Sequence, residues 1–303
     1  MPCNVFVARL GGHICTAVAR MQSEQFQLHA DIEQRHWWFV ARRQILTSLV
    51  TAVLPPSRET TIVDVGCGTG ANLAGLADRY HCVGIDASSH AIRLARERFP
   101  QVSFVHGFAP QDLGPVMDQA RLVLVTDVLE HVADDFALFS QLLAASQPGT
   151  YFLLTVPADL ALWSEHDKSF GHYRRYDLPR FQQVWQGLSV RPLFASYYNA
   201  RLYPAVKLVR TWNRWRGRTG GLAGTDFAMP NRLVNGLLAG CFAGERRRLV
   251  ALANGTGRAP YPFGVSLIAM LQRLAGPVEP RSKPVDLALD YYDPSAELVT
   301  ADA

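Results

Sequence analysis

A doubly wound α/β fold, built on a mainly parallel seven-stranded sheet, is the architecture this sequence predicts. Three observations lead to it. Short β-branched or apolar runs alternate with helical stretches between Thr61 and Val156, the rhythm of βαβ crossovers that cover a parallel sheet on both faces. A glycine-rich turn, Gly66-Cys67-Gly68-Thr69-Gly70, ends the first of these strands and opens a helix. An acid, Asp86, ends the next strand 20 residues after Gly66.

Taken in order, residues 1–20 hold a short apolar stretch whose only charges are Arg9 and Arg20, with no clear cleavage site. They read as a poorly defined extension rather than a signal peptide, and Met21 is an alternative start. From about Gln22 to Val53 the sequence reads as a helical cap, with Ile45, Leu46, Leu49 and Val50 as its apolar stripe and Pro55-Pro56 as its stop. Strands follow at Thr61–Val65, His81–Ile85, Val102–Val105, Leu122–Thr126 and Tyr151–Val156, with helices at Ala71–Arg79, Ala91–Arg98 and Phe136–Ala145. After Pro157 a polar, aromatic loop runs to Tyr176, then a helix around Pro179–Gln186 and a sixth strand at Val190–Tyr198. The expected partition is an extension (1–20), a cofactor-binding domain with its cap (21–200), a basic helical insertion (201–258), a final strand near Phe263–Leu271 within 259–276, and a loose tail (277–303).

Composition sets the outer limits. With 303 residues, 49% hydrophobic and 18% charged, the chain can bury a sizeable core and is not a disordered protein. No apolar run reaches the ~18 residues of a membrane-spanning helix. Five cysteines without paired spacing make neither a disulfide framework nor a zinc site, which points to a reducing, cytoplasmic setting. Net charge is only +4, yet Arg201–Arg258 carries 11 basic residues against Asp226 and Glu245. The rest of the chain is therefore net acidic. An anionic partner is expected for that segment alone, and nucleic acid is disfavoured.

Glycines let the backbone turn tightly and approach a ligand, while the helix start offers unpaired N–H groups. A carboxylate at Asp86 can take two ribose hydroxyls. Dinucleotide folds use the same logic, and Gly66, Gly68 and Ala71 satisfy their permissive G-x-G-x-x-A pattern. Glycines alone leave a nicotinamide-dependent oxidoreductase open.

Further motifs narrow the choice. Asp64-Val65-Gly66-Cys67-Gly68-Thr69-Gly70, followed by Thr126-Asp127-Val128-Leu129-Glu130-His131-Val132, resembles the class I S-adenosylmethionine-dependent methyltransferases of the small-molecule branch. Glu33-Gln34-Arg35-His36-Trp37-Trp38-Phe39 and Trp163-Ser164-Glu165-His166-Asp167 are similar to one bacterial subgroup of that family. The resemblance implies S-adenosyl-L-methionine as cofactor, with Gly66, Cys67, Gly68 and Gly70 against its methionine part and Asp86 on its ribose. Asp64 and Asp127 are expected near the cationic groups, and Arg42 or Arg43 at the carboxylate. The family's adenine-side acid has no clean match: Phe108 falls at its place and Asp112 lies further along.

Methyl transfer is an in-line displacement, so positioning supplies much of the catalysis. An oxygen or nitrogen acceptor also needs a proton removed, for which His131 and His166 are the candidates. The spacing of His166, Asp167 and His172 is not diagnostic of a metal, and none is expected. The expected reaction is O-, N- or C-methylation of a small or lipid-linked acceptor. The alternatives are the oxidoreductase and an inactive cofactor-binding scaffold.

On a helix through Pro204–Arg216, Lys207, Arg210 and Arg214 fall on one face, while Ala205, Leu208, Val209, Trp212 and Trp215 fall mainly on the other. That pattern suits an interfacial helix, so a peripheral position on the anionic inner face of a membrane is expected for residues 201–258. An amphipathic pair packed on the domain is the plainer reading. Gly236, Gly240 and Gly244, spaced by four, would let a second helix pack closely on a neighbour.

Overall fold

The computed structural model describes residues 6–10, 13–17, 23–216 and 229–282. Strands β1 (Phe6–Leu10) and β2 (His13–Ala17) pair as a separate antiparallel hairpin. The remaining strands, β3 (Ser57–Val65), β4 (Tyr80–Asp86), β5 (Ser103–His106), β6 (Ala120–Thr126), β7 (Tyr151–Pro157), β8 (Val190–Tyr198) and β9 (Ser266–Arg273), form one sheet in the order β5-β4-β3-β6-β7-β9-β8. The pairs from β5 through β7 are parallel, and β9 inserts antiparallel between β7 and β8. Strand order reverses between β3 and β6. At such a switch point the crossovers leave in opposite directions and open a crevice at the carboxyl ends of the strands.

Each central strand is apolar on both faces because helices cover both. Ile62, Leu122, Leu124 and Leu153 face one core with Ile45, Leu49 and Phe242. Their strand neighbours Val63, Val123, Val125 and Leu154 face the other with Leu138, Leu142 and Phe181. The two-residue alternation of a strand divides them. The first core takes α2 (Trp37–Val53), α3 (Ala71–Ala74) and α4 (Ser89–Arg98), with α1 (Ser23–Ile32) packed on α4. The second face takes α5 (Pro115–Gln119), α6 (Asp135–Ala144) and α8 (Leu178–Gln182), with α7 (Glu165–Ser169) in the loop between β7 and α8.

Several expected boundaries shift by a few residues, and three of the differences have consequences for the fold. The helix expected over Gln22–Val53 is two, because a turn at Glu33–His36 returns the amides of Arg35 and His36 to the Ile32 carbonyl. The His36 ring then accepts from Trp38 N (3.3 Å) and starts α2 afresh. Helix Ala71–Arg79 stops at Ala74, where Gly75 runs so close to α2 that a Cβ would meet Thr47 Oγ1 at 3.2 Å. The last strand begins at Ser266, with Phe263 left exposed outside the ladder.

Residues 201–258 contribute α9 (Tyr203–Trp215), α10 (Arg232–Ala243) and α11 (Arg246–Ala253). The last two pack on α2. Asn235 Oδ1 accepts from Trp37 N (2.9 Å), its amide donates to Arg35 O (2.8 Å), and Phe242 meets the Trp37 ring edge-on. The glycine spacing does not serve this contact. Nothing lies within 4 Å of a Cβ built at Gly236 or Gly240, since Asn235 and Phe242 carry the packing face, while Gly244 lies against the Arg201 guanidinium. The expectation of a loose tail falls mostly on residues outside those described.

One buried cation positions the loops above the sheet. Arg174, 1% exposed, donates to the carbonyls of Val132 (2.7 Å) and Ala133 (2.8 Å), reaches that of Leu129 (3.4 Å) and pairs with Asp135 at 3.6 Å. It thereby fixes the turn after β6 to the loop before α8. Replacing it with Met leaves buried carbonyls without a donor, each costing ~1–3 kcal/mol. Arg174→Met should destabilise the fold by roughly 3–5 kcal/mol, read as a lower midpoint in urea unfolding.

Candidate active site

The glycine turn is left-handed at Gly66 (φ 68°), Gly68 (φ 53°) and Gly70 (φ 86°), a conformation that L side chains disfavour. At Gly66 a Cβ would also stand 2.6 Å from Val128, so the turn after β3 and the turn after β6 touch only because the side chain is missing. The amides of Gly66 and Cys67 donate to Ile85 O. Asp86 closes the arrangement: its two oxygens accept from Gly68 N (2.9 Å) and Ser88 N (2.8 Å). Each carboxylate oxygen keeps a second lone pair for a ligand hydroxyl.

Above the turns lies a cavity of about 620 Å³, walled by Gly66, Asp86, Asp127 and His131 at the strand ends and by Trp38 of α2 and Val206 of α9. That volume is within the roughly 300–1,000 Å³ of small-molecule sites. Cys67, Gly68, Arg42, Arg43 and His166 also line it, while Asp64 and Gly70 do not. Asp64 is fully buried beneath the floor, where desolvation, opposed by Arg42 and the Asn72 amide, pushes its pKa up to about 7. Neither Phe108 nor Asp112 reaches the wall; the Asp112 carboxylate accepts from Phe108 N at 2.7 Å.

The charges expected to meet separate ends of a cofactor meet each other. Arg42 Nη2 pairs with Asp127 Oδ2 at 2.9 Å, and Thr155 Oγ1 donates to Asp127 Oδ1 at 2.9 Å. Asp127 holds a left-handed backbone (φ 57°), uncommon for a residue with a side chain and held here by its own amide bond to Thr155 O. Arg43 donates to Glu33 O (3.1 Å), and burial lowers its pKa. Glu33 in turn binds the Thr69 hydroxyl (2.8 Å) and the Arg98 guanidinium, tying the glycine turn to the cap.

On the wall of the same cavity the structure gathers His131, His166, His172 and Glu130. Ser164 and Asp167 form a capping box on α7, and Asp167 accepts from Arg175 Nε (2.8 Å) and Nη2 (3.1 Å) and from His172 Nδ1 (2.9 Å). Arg175 holds the Asp167 carboxyl far below the usual carboxylate range despite burial. His166 is held well below its ordinary pKa by burial, and so is neutral near pH 7. Glu130 is pushed well above the carboxylate range by burial and by the neighbouring Asp127. From the sequence, Glu33, Glu130 and Arg175 carried no role of their own, and His172 was weighed only as a metal ligand with His166 and Asp167. Glu130 adjoins His131 in a motif already singled out, but nothing local says that His172 faces it.

The residues present fit S-adenosyl-L-methionine. A glycine cradle narrowed by Val128, a carboxylate with spare lone pairs at Asp86, and acids beside a cavity large enough for cofactor and acceptor match a ligand that carries a ribose and cationic groups.

Asp64 provides a check on the floor of this site. Its unfolded pKa is ~3.9, and in the fold it is about 7, so between these values the folded state holds the extra proton. Its contribution to stability is fully present below about pH 4 and lost as pH rises through about 7. Asp64→Asn removes that titration. From pH 5 to pH 8 the variant should gain roughly 1–3 kcal/mol relative to the parent chain, measured by chemical unfolding without ligand.

The methyltransferase domain family matches residues 36–199. The chain is 29% identical over 188 residues to a trans-aconitate 2-methyltransferase of Azoarcus sp. (strain BH72), covering 59% of this chain and 70% of that protein. The plantazolicin methyltransferase BpumL, solved with S-adenosylhomocysteine, superposes with a TM-score of 0.51 at 13% identity over 83% of this chain and 90% of that one. The [4+2]-cyclase SpnF superposes with a TM-score of 0.53 at 12% identity over 85% and 98%, so the fold by itself does not fix the chemistry. With the family match spanning the glycine turn, Asp86 and the turn after β6, the chain belongs to the methyltransferase domain family, as a class I methyltransferase that uses S-adenosyl-L-methionine.

Proposed function

We propose that this enzyme methylates a small or lipid-linked acceptor held between the glycine turn and the histidine cluster. The observation that carries this reading is the placement of His131, His166 and His172 on the wall of one cavity with Gly66, Gly68 and Asp86. Bound S-adenosyl-L-methionine supplies an electrophilic methyl carbon on a sulfonium. In this reading Asp86 orients the ribose, and Gly66, Cys67 and Gly68 let the backbone lie against the methionine part. Asp127, locked by Arg42 and Thr155, presents a fixed carboxylate near the cationic groups, with Asp64 and Gly70 supporting from below. Arg43, whose Nη1 donates to Glu33 O, lines the cavity and is the proposed partner of the cofactor carboxylate.

His166 is the proposed base, with His131 as its alternative. Being neutral, His166 is ready to accept the proton that an oxygen or nitrogen acceptor must lose. The same burial makes it a weak base, and the neighbouring Asp167 carboxylate stabilises the imidazolium that forms when His166 takes the proton. Trp38, Phe39, Leu202 and Val206 give the cavity apolar walls that exclude water. The Azoarcus relative is named for a tricarboxylate acceptor, and an acceptor bearing carboxylate or hydroxyl oxygens suits the histidines here. Asp86→Ala removes charge-assisted hydrogen bonds worth ~1.5–3 kcal/mol each. Affinity for S-adenosylhomocysteine should fall at least ~10-fold by calorimetry while the circular dichroism spectrum is kept; unchanged affinity would place the cofactor elsewhere.

The rim of the cavity favours an apolar or lipid-linked acceptor. Val209 and Leu238 line it, and next to them Leu208, Trp212, Trp215, Leu233 and Leu237 are exposed. No described helix is long and apolar enough to cross a membrane. The cationic stripe expected to meet anionic lipid is partly spent inward: Lys207 pairs with Asp159 (3.0 Å) and bonds Tyr203, and Arg210 donates to Leu162 O. Trp212 and Trp215 therefore take over as the proposed contact with an anionic membrane surface, with Arg216 stacked on Trp212 at 4.4 Å. Each buried tryptophan removes a large apolar area from water. Trp212→Ala/Trp215→Ala should lower the vesicle-bound fraction at least ~10-fold in sedimentation with anionic liposomes. Absence of binding by the parent chain would leave a freely diffusing acceptor.

A further inference from the structure

We propose that Glu130, His131 and His172 form a site for one divalent transition-metal ion, opening into the acceptor end of the cavity. One potential donor atom from each of the three lies within 4.8 Å of the others. Two imidazoles and one carboxylate, with positions left facing a cavity, make a donor set that suits Mn²⁺, Fe²⁺, Co²⁺ or Zn²⁺. All three residues line the cavity.

Two further observations point to a cation rather than to a fortuitous cluster. The first is the orientation of His172. Asp167 is ionised by its bidentate contact with Arg175 and can only accept, so the His172 nitrogen 2.9 Å away, Nδ1, carries the proton. Nε2, at the far end of the ring, is then the lone-pair nitrogen. A carboxylate that holds one imidazole nitrogen so that the other can bind metal is the usual second layer of such sites. The second is Glu130 Oε2, completely buried yet without a hydrogen-bond partner in a residue that is 1% exposed. Buried acceptors are nearly always satisfied, and a cation beside His131 and His172 satisfies this one. The His131 and His172 rings meet edge to face with centroids 4.7 Å apart, so small side-chain rotations bring both nitrogens to one ion.

Asp167 itself is not a ligand, because Arg175 and His172 use its oxygens, and His166 lies outside the set. The open coordination positions would take an acceptor with two oxygen donors, such as a hydroxy acid or a vicinal diol. This last step rests on the methyltransferase reading; the ion does not.

Titration of the full chain with Co²⁺ tests the site. One equivalent should bind and give visible absorption bands, and the bands should be lost in His172→Ala and in Glu130→Gln. Asp167→Asn, which leaves all three ligands in place, should weaken Co²⁺ by ~10–100-fold. Circular dichroism screens each variant, and His131→Ala serves where a His172 variant fails to fold. S-adenosylhomocysteine binding is measured on the same samples. Retained S-adenosylhomocysteine binding without a stoichiometric Co²⁺ site, or Co²⁺ bands that persist in folded ligand variants, would overturn the metal site and leave the methyltransferase reading intact. Co²⁺ bound as expected without S-adenosylhomocysteine binding would support the ion and overturn the cofactor reading.

Discussion

The guanidinium of Arg42 is the contact on which the arrangement depends. It is 6% exposed, pairs with Asp127 at the end of β6, reaches Thr155 on β7 at 3.5 Å, and lies in the field of Asp64 on β3 and of Tyr198 on β8. Burial alone would lower its pKa, but these anionic and polar neighbours outweigh it and hold the cation charged. A buried charge is costly unless paired and hydrogen-bonded. The helix bearing Arg42 can therefore cover the sheet in only one register, with the guanidinium over the switch point. The cap over the cavity, the left-handed backbone at Asp127 and the partner of Asp64 all follow from that register.

Around this centre the molecule uses charge as a stitch between segments remote in sequence. Arg98 and Thr69 meet Glu33, Arg174 binds carbonyls of the turn after β6, and Arg175 locks Asp167. Each pair brings one loop to the carboxyl edge of the sheet. The result is a cavity lined by glycine backbone and carboxylates and also by a cluster of imidazoles. Group transfer can use both, because donor and acceptor must be held separately and in line.

The helical segment 201–258 joins this arrangement through packing and hydrogen bonds at α10 and α11 and through charged side chains at α9. Its α10 and α11 complete the core under α2, and Phe242 sits between Trp37 and Tyr198. The basic residues that mark the segment in the sequence are divided by the fold. Lys207 and Arg210 turn to Asp159 and the Leu162 carbonyl, while Arg246, Arg247, Arg248 and Arg258 line a separate surface groove with Arg201. Net charge per segment described composition correctly and said little about which direction each cation faces.

The sequence by itself determined the alternation of strands and helices, the glycine turn at the end of β3, the acid at the end of β4 and the doubly wound class. All of these rest on periodicity and short-range spacing, which are legible residue by residue. The span of β8 was legible too, because its run of β-branched and aromatic residues lies between Gly187 and Asn199. Tertiary structure alone decided that Arg42 and Asp127 neutralise one another, that Asp64 lies under the floor rather than at the wall, and that Glu130, His131 and His172 face one point. These outcomes depend on where crossovers return the chain, and on charges finding partners when water is removed. Neither is encoded within any single window of sequence.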